Sequence, residues 1–178
     1  IGDEVIIGSN VVIENSKISN NVHIGDGSVV GKKGFGFKFI DKKCLRIPHL
    51  GSVVIGKDCA IGANCVIDRG SIKNTVIDDR TFLDNLVHIA HNVILGKNSA
   101  IAASCAIAGS TVIGKNLQMG GLSGILGHLE ICDNVLIGAH TLITKNITDL
   151  GDYVGIIPAQ EKKDWAKSSV FIKKRNDK

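Results

Sequence analysis

From Ile77 onward a large apolar residue falls at every sixth position: Ile77, Leu83, Ile89, Leu95, Ile101, Ile107, Ile113, Met119, Ile125, Ile131, Ile137 and Ile143. An amphipathic helix repeats every 3.6 residues and a strand every two, so neither produces this beat. A fixed period held over twelve units is the signature of a repeat architecture, in which each unit buries its apolar face only against its neighbours. The same beat precedes it at Ile1, Ile7, Ile13, then Ile18, Ile24, Val30, then Ile55, Ile61, Ile67. Steps of five residues (13 to 18, 67 to 72, 72 to 77) read as slips of one residue in a turn. With the apolar position called i, position i+1 is often Gly or Ala. Position i+4 is small or β-branched: Val11, Ser28, Cys59, Cys65, Ser99, Cys105, Thr111, Val135 and Thr141.

Composition agrees with a narrow, regular interior. Hydrophobic residues make up 44% of the 178-residue chain but aromatics only 4%, so the core is built from Ile, Val, Leu and Ala. That length is enough for one domain with a sizeable core. Cys59, Cys65 and Cys105 fall at i+4 and read as small interior residues. With Cys44 and Cys132 they form no CxxC pair, and no Cys/His cluster has zinc spacing, so no metal is expected and reduced thiols in a cytoplasmic protein are. A net charge of +4 gives no reason to expect nucleic acid. No signal peptide and no apolar run long enough to span a bilayer are present, so no integral membrane segment is expected. The chain begins at Ile1 in mid-pattern, as a piece of a longer protein would.

The hexads resemble those of left-handed parallel β-helices, in which three hexads make one triangular coil of 18 residues. The resemblance implies an all-β, left-handed parallel β-helix of hexapeptide repeats over residues 1–148, with i and i+4 pointing inward, and a C-terminal extension over 149–178. Two segments break the beat. "GFGFKFIDKKCLRIPHLG" (34–51) reads as a loop insertion projecting from a corner. In the extension, Pro158 followed by Trp165, Ser169 and Ile172 at helical spacing predicts a short α-helix covering the open end of the prism. Its lysines suit an acidic partner.

This frame separates the two histidines of "DNLVHIAHNVILG" (84–96). His88 is at i+5, on an outward face. His91 is at i+2, in a corner turn. Corner residues one coil apart stack, so His91, Gly109 and Gly127 form a column with His128 beside its top. A neutral imidazole suits removal of a proton from an attacking amine near neutral pH, and a backbone N–H one coil away suits the oxyanion that follows.

The motifs "GFGF", "IDRGSIKNT", "DNLVHIAHN", "IAGSTVIGKN", "GHLEI" and "GIIPAQEKKDW" together resemble the UDP-3-O-acylglucosamine N-acyltransferases of lipid A biosynthesis, over residues 18 to 165 or so. The resemblance implies a homotrimer with active sites between subunits. It implies transfer of a 3-hydroxyacyl group from acyl carrier protein to the 2-amino group of a UDP-sugar, UDP-3-O-acyl-glucosamine. No cofactor is implied beyond the phosphopantetheine thioester of the carrier. Carried over residue by residue, His91 is the catalytic base, the Gly109 N–H contacts the thioester oxygen, and His128 helps bind the phosphate side. Asp84 and Asn85 match substrate contacts. His88 stands where the family often has Gln and is the weakest substrate-binding candidate. Met119 and Leu142 are candidates for setting acyl length. The family's N-terminal uridine-binding domain has no counterpart in the sequence. Competing readings are an acetyl-CoA-dependent hexapeptide acetyltransferase acting on a sugar or amino acid, a zinc enzyme whose closing ligand pair is lacking because position 133 is Asp, and a structural trimer without activity.

Overall fold

The computed structural model describes residues 1–155 and 159–175, with side chains as far as residue 168. The chain winds into a parallel β-solenoid of three sheets, with eight, seven and six strands, each strand two to five residues long. Within the regular part, Ile89 pairs with Ile107 and Ile107 with Ile125, steps of 18 residues, so three hexads make one coil. The expected left-handed β-helix is the fold found.

The interior is the column predicted by the repeat. Ile55, Ile61, Ile67, Ile77, Ile89, Leu95, Ile107 and Ile125 are buried at i, while Ser28, Cys59, Cys65, Ser99, Cys105 and Thr111 are buried at i+4. The buried i+4 hydroxyls and thiols reach backbone carbonyls at the corners: Ser28 Oγ donates to Gly62 O at 2.8 Å and Thr111 Oγ1 to Leu126 O at 2.9 Å. The position therefore takes small residues that fill little volume and satisfy a turn. Position i+3 adds a rule that the apolar beat does not reveal. It sits at positive φ in coil after coil, and Asn fills it at 10, 21, 64, 92, 98, 116 and 134, the residue type besides Gly that tolerates this region best.

Several expectations are corrected. Ile1 and Ile7 are exposed, because the strand Ile6–Ile7 is outermost in its sheet and has no coil stacked on its other side. Ile72, counted in the beat, is 85% exposed. Residues 70–74, between the strands Val66–Arg69 and Thr75–Ile77, form one wide corner rather than two five-residue slips, and the pairing of Ile67 with Ile89 is accordingly longer than 18 residues. The solenoid also runs past residue 148: Gly151–Tyr153 pairs with Val135–Ile137 as the last strand of the eight-stranded sheet. The predicted helix is present at Lys162–Arg175, and its first turns, residues 162–167 with Trp165 at 56% exposed, lie open rather than packed; the side chains of Ser169 and Ile172 lie outside those described. Pro158 lies outside the described residues. No described helix is long and apolar enough to cross a membrane.

The insertion at 34–51 is a two-stranded antiparallel hairpin, Phe37–Ile40 with Lys43–Arg46, turned by Asp41 and Lys42 at positive φ. Every strand residue in it is exposed. Its return path pairs with the wide corner, Leu50 N–H donating to Ser71 O at 2.7 Å. The two interruptions of the repeat thus meet at one edge of the prism.

Candidate active site

That edge is the one that carries His91. The corner between strands His88–Ile89 and Ile94–Leu95 presents His91 and Asn92, and the coil above it presents Gly109 and Ser110. Ser110 N–H donates to His91 O at 2.9 Å and His128 N–H to Gly109 O at 3.0 Å, so the column inferred from spacing is a hydrogen-bonded stack. The imidazole lies against Gly109: a Cβ there would sit 2.7 Å from His91 Cε1 and 2.9 Å from Nε2. Only glycine leaves room for the ring.

The orientation of the imidazole comes from Asn92. Asn92 Oδ1 accepts from Ser71 N–H at 3.1 Å and from Ser71 Oγ–H at 2.7 Å, and its Nδ2 donates to Lys73 O at 3.2 Å. These contacts fix which end of the amide is oxygen. His91 Nδ1 lies 3.1 Å from the same Oδ1, so it must donate there. In neutral His91 the proton is therefore on Nδ1 and the lone pair on Nε2. The wide corner 70–74 supplies the groups that hold this amide, Ser71 and Lys73.

A second imidazole, absent from the candidates drawn from sequence, packs on the first. His49, on the return path of the insertion, is 2% exposed, and its ring meets His91 edge-to-face with centroids 5.1 Å apart. His49 Nδ1–H donates to Ile47 O at 3.0 Å, and no described group partners the buried Nε2. Burial, and then repulsion from His91, hold its pKa below the ordinary histidine value. Gly34 of "GFGF" closes over both rings, since a Cβ there would lie 3.0 Å from His49 Nε2 and from His91 Cβ. The one sequence signal for His49 was its place in a loop that breaks the repeat.

Asp68 of "DRG" is the third element. It is buried, 2.9 Å from Lys32 Nζ and 3.5 Å from His88 Nε2. Burial alone would push its carboxyl up, but hydrogen bonds and charge from His88 and Lys32 outweigh that and hold it below its usual range. The half-buried His88 is thereby tied to a buried carboxylate on the same face as His91. Above it runs a cavity of about 400 Å³, lined by Phe35, Asp68, His88, His91, Gly109 and Leu142 among others. Its floor is the outward column of the seven-stranded sheet, His88–Ala106–Gly124–Leu142, in register from coil to coil. Two small residues leave a trough, which Leu142 closes.

The remaining candidates lie elsewhere. Asp84 and Asn85 occupy the previous corner, between strands Phe82–Leu83 and His88–Ile89. Asn85 Oδ1 accepts from Ala63 N–H at 2.7 Å and Asp84 Oδ1 from Asn85 N–H at 2.7 Å, so both also brace turns. Asp84 borders a different groove, of about 590 Å³, on the eight-stranded sheet with Phe82 and Met119. One strand separates this corner from His91, roughly 20 Å at the rise of an extended chain. A single chain does not bring them together. His128 is exposed at positive φ, two coils above the His91 corner. No group of three or more His, Cys, Asp or Glu able to hold a metal occurs among the described residues.

The edge thus carries a histidine and a glycine stacked one coil apart on a parallel β-helix, with an apolar trough beside them. Residues 74–109 match the family described as bacterial transferase hexapeptide (six repeats). Among curated proteins, the chain is 47% identical over 150 residues to UDP-3-O-acylglucosamine N-acyltransferase of Bordetella avium (strain 197N), covering 82% of this chain and 42% of that enzyme. It is 44% identical over 147 residues to the enzyme of the same name from Delftia acidovorans, covering 83% of this chain and 44% of that one. The chain is thus a relative of the UDP-3-O-acylglucosamine N-acyltransferases through most of its own length, and it spans less than half the length of these relatives. In fold it is similar to UDP-N-acetylglucosamine O-acyltransferase from Moraxella catarrhalis, with a TM-score of 0.72 at 24% identity over 94% of this chain and 68% of that one. The Acinetobacter baumannii structure of the same type gives 0.64 at 22% identity over 87% and 67%.

Proposed function

We propose that this chain carries the acyl-transfer centre of an N-acyltransferase of lipid A biosynthesis, working in the cytoplasm as a homotrimer. The donor is a 3-hydroxyacyl thioester on the phosphopantetheine arm of acyl carrier protein. The acceptor is the 2-amino group of UDP-3-O-acyl-glucosamine. The observation that carries the reading is the His91 imidazole, its Nδ1–H committed to Asn92 and its Nε2 lone pair free beside Gly109. The amine attacks the thioester carbonyl, and Nε2 takes the proton that the nitrogen sheds. The Gly109 N–H donates to the oxyanion. The intermediate then collapses to the amide, and His91 returns the proton to the departing thiolate. No cofactor or metal takes part in these steps.

The trough from His88 to Leu142 suits the acyl chain, being apolar and closed at one end. The trimer reading rests on two features. Asp84 and Asn85, as substrate contacts, lie on a different edge from His91. In addition, Phe82 and Leu136 on the eight-stranded sheet, Leu86 and Leu122 at the Asp84 corner and Leu142 on the seven-stranded sheet are exposed, apolar surface that suits burial against another chain. His128 is assigned to the phosphate side of the nucleotide, and His88, held by Asp68, to a substrate contact. Exposed Lys162, Lys163 and Lys167 on the terminal helix give an acidic carrier protein a surface of opposite charge.

The test is a mass-spectrometric transfer assay with 3-hydroxyacyl acyl carrier protein and UDP-3-O-acylglucosamine, run beside His91→Ala. Product heavier by one hydroxyacyl group, and lost in the variant, is expected. Consumption of acetyl-CoA on another acceptor, with no hydroxyacyl product, would replace this reading with an acetyltransferase.

A further inference from the structure

Where an Asp or Asn stands at i+2 of the next coil, it can cap the i+2 N–H below it; where it does not, as at Lys97, Ala103, Gly121 and in the His91 column, the N–H is left open among the described residues. In five places the N–H of residue i+2 donates to the side-chain oxygen of an Asp or Asn at the same position of the next coil. Asp3 donates to Asn20 at 3.2 Å, Ser9 to Asp26 at 2.6 Å, Lys57 to Asp79 at 2.9 Å, Ala63 to Asn85 at 2.7 Å and Lys115 to Asp133 at 2.8 Å. Gly109 is an i+2 residue. The residue above it at the same position is Gly127, which has no side chain to offer. Among the described residues the Gly109 N–H donates to no backbone carbonyl and to no side chain.

We infer that Gly127 is a positioning residue whose missing side chain keeps the Gly109 N–H open for the substrate oxygen. The inference rests on the acyl-transfer reading above. The two glycines of the column therefore have different duties. Gly109 makes room for the imidazole, as its contacts with His91 require. Gly127 withholds a cap. A Cβ at 127 would lie 3.7 Å from Gly109 N and 2.9 Å from Gly109 O, so an amide group on that Cβ reaches the N–H with a shift of a few tenths of an ångström. An oxyanion donor that is already hydrogen-bonded must break that bond in the transition state, and its stabilising effect is lost. The five capped corners gain from such bonds; this corner does without one.

The experiment compares Gly127→Asn with Gly127→Ala in the whole chain. It reads kcat, KM for the sugar nucleotide, and hydrogen exchange of the Gly109 amide by NMR. Gly127→Asn is expected to lower kcat by about 10²–10³-fold with KM little changed, and to slow exchange at Gly109. Gly127→Ala adds the Cβ without the cap, and its loss is expected to stay under about tenfold with Gly109 exchange still fast. Equal losses in the two variants would assign the effect to crowding of the Gly109 carbonyl and overturn the inference. So would an Asn variant whose Gly109 amide exchanges as fast as in the wild type. If the wild-type chain transfers no hydroxyacyl group, the acyl-transfer reading fails, and the exchange measurement still decides whether residue 127 governs the N–H.

Discussion

Two neighbours of His91 set what it can do. Asn92 fixes the tautomer, because its own oxygen is already pinned by Ser71. Asn92→Gly removes the amide while keeping a residue at ease at positive φ. The lost orientation is worth about 1–2 kcal/mol, so kcat is expected to fall roughly five- to thirtyfold, read at saturating substrate. His49 acts through its burial. Its pKa in the folded chain lies below the reference value of 6.5, through burial first and His91 second. Below a pH of about 6.5 the unfolded chain takes up a proton at residue 49 that the native chain resists. Stability is therefore full above that pH and declines as the pH falls through it toward the native pKa. Melting temperatures between about pH 7 and pH 5 are expected to fall less steeply in His49→Gln than in the wild type; equal slopes would remove this role. Of these residues, the stacking of His91 and Gly109 was legible from arithmetic, since an 18-residue step needs only the repeat, while their proposed roles came from the family resemblance. His49 was not, because a segment outside the repeat has no periodicity to place its side chains. Asn92 was visible as an i+3 turn residue, but its partner Ser71 sits in the wide corner that the beat had mistaken for two slips.

Short strands in register turn a one-dimensional pattern into a surface. The outward column His88, Ala106, Gly124, Leu142 is fixed by pairing on the seven-stranded sheet. Adjacent coils are about 4.8 Å apart, so three coil steps put Leu142 roughly 14 Å from His88. Ala106 and Gly124 are small enough to leave the trough, and a Cβ on Gly124 would already touch Leu142 Cδ1 at 3.1 Å. Leu142 thus closes the far end. Leu142→Ala opens it, and the variant is expected to shift donor preference toward longer hydroxyacyl chains, measured by competition between donors of two lengths. An unchanged ratio would place the end of the acyl site elsewhere. Sequence named Leu142 and Met119 together and could not choose between them. Coordinates separate them, because Leu142 lies on the His91 groove and Met119 on the groove bordered by Asp84.

At the scale of the molecule, the hexads carried almost the whole architecture, the solenoid, the buried columns and the identity of the small i+4 residues, while its left hand came from the family resemblance. What they could not carry were the irregular parts, the hairpin and the wide corner, where local turn chemistry rather than a period decides the path. Those irregular parts assemble the His91 edge, so the candidate site is richest where the repeat is least informative. The regular part imposes its own condition. Asp84 and His91 belong to different edges of one rigid prism, and no flexing of packed coils brings them together. If both serve one substrate, one must come from a neighbouring chain. Mixing His91→Ala with Asp84→Ala chains, each of low activity alone, tests this directly. After unfolding and co-refolding, the proposed trimer would form mixed assemblies with interfaces in which an intact His91 from one chain faces an intact Asp84 from another. Transfer activity is expected to return to a substantial fraction of the wild-type value in the mixture and to stay low in either variant refolded alone. A mixture no more active than its components would confine the site to one chain and remove Asp84 from it.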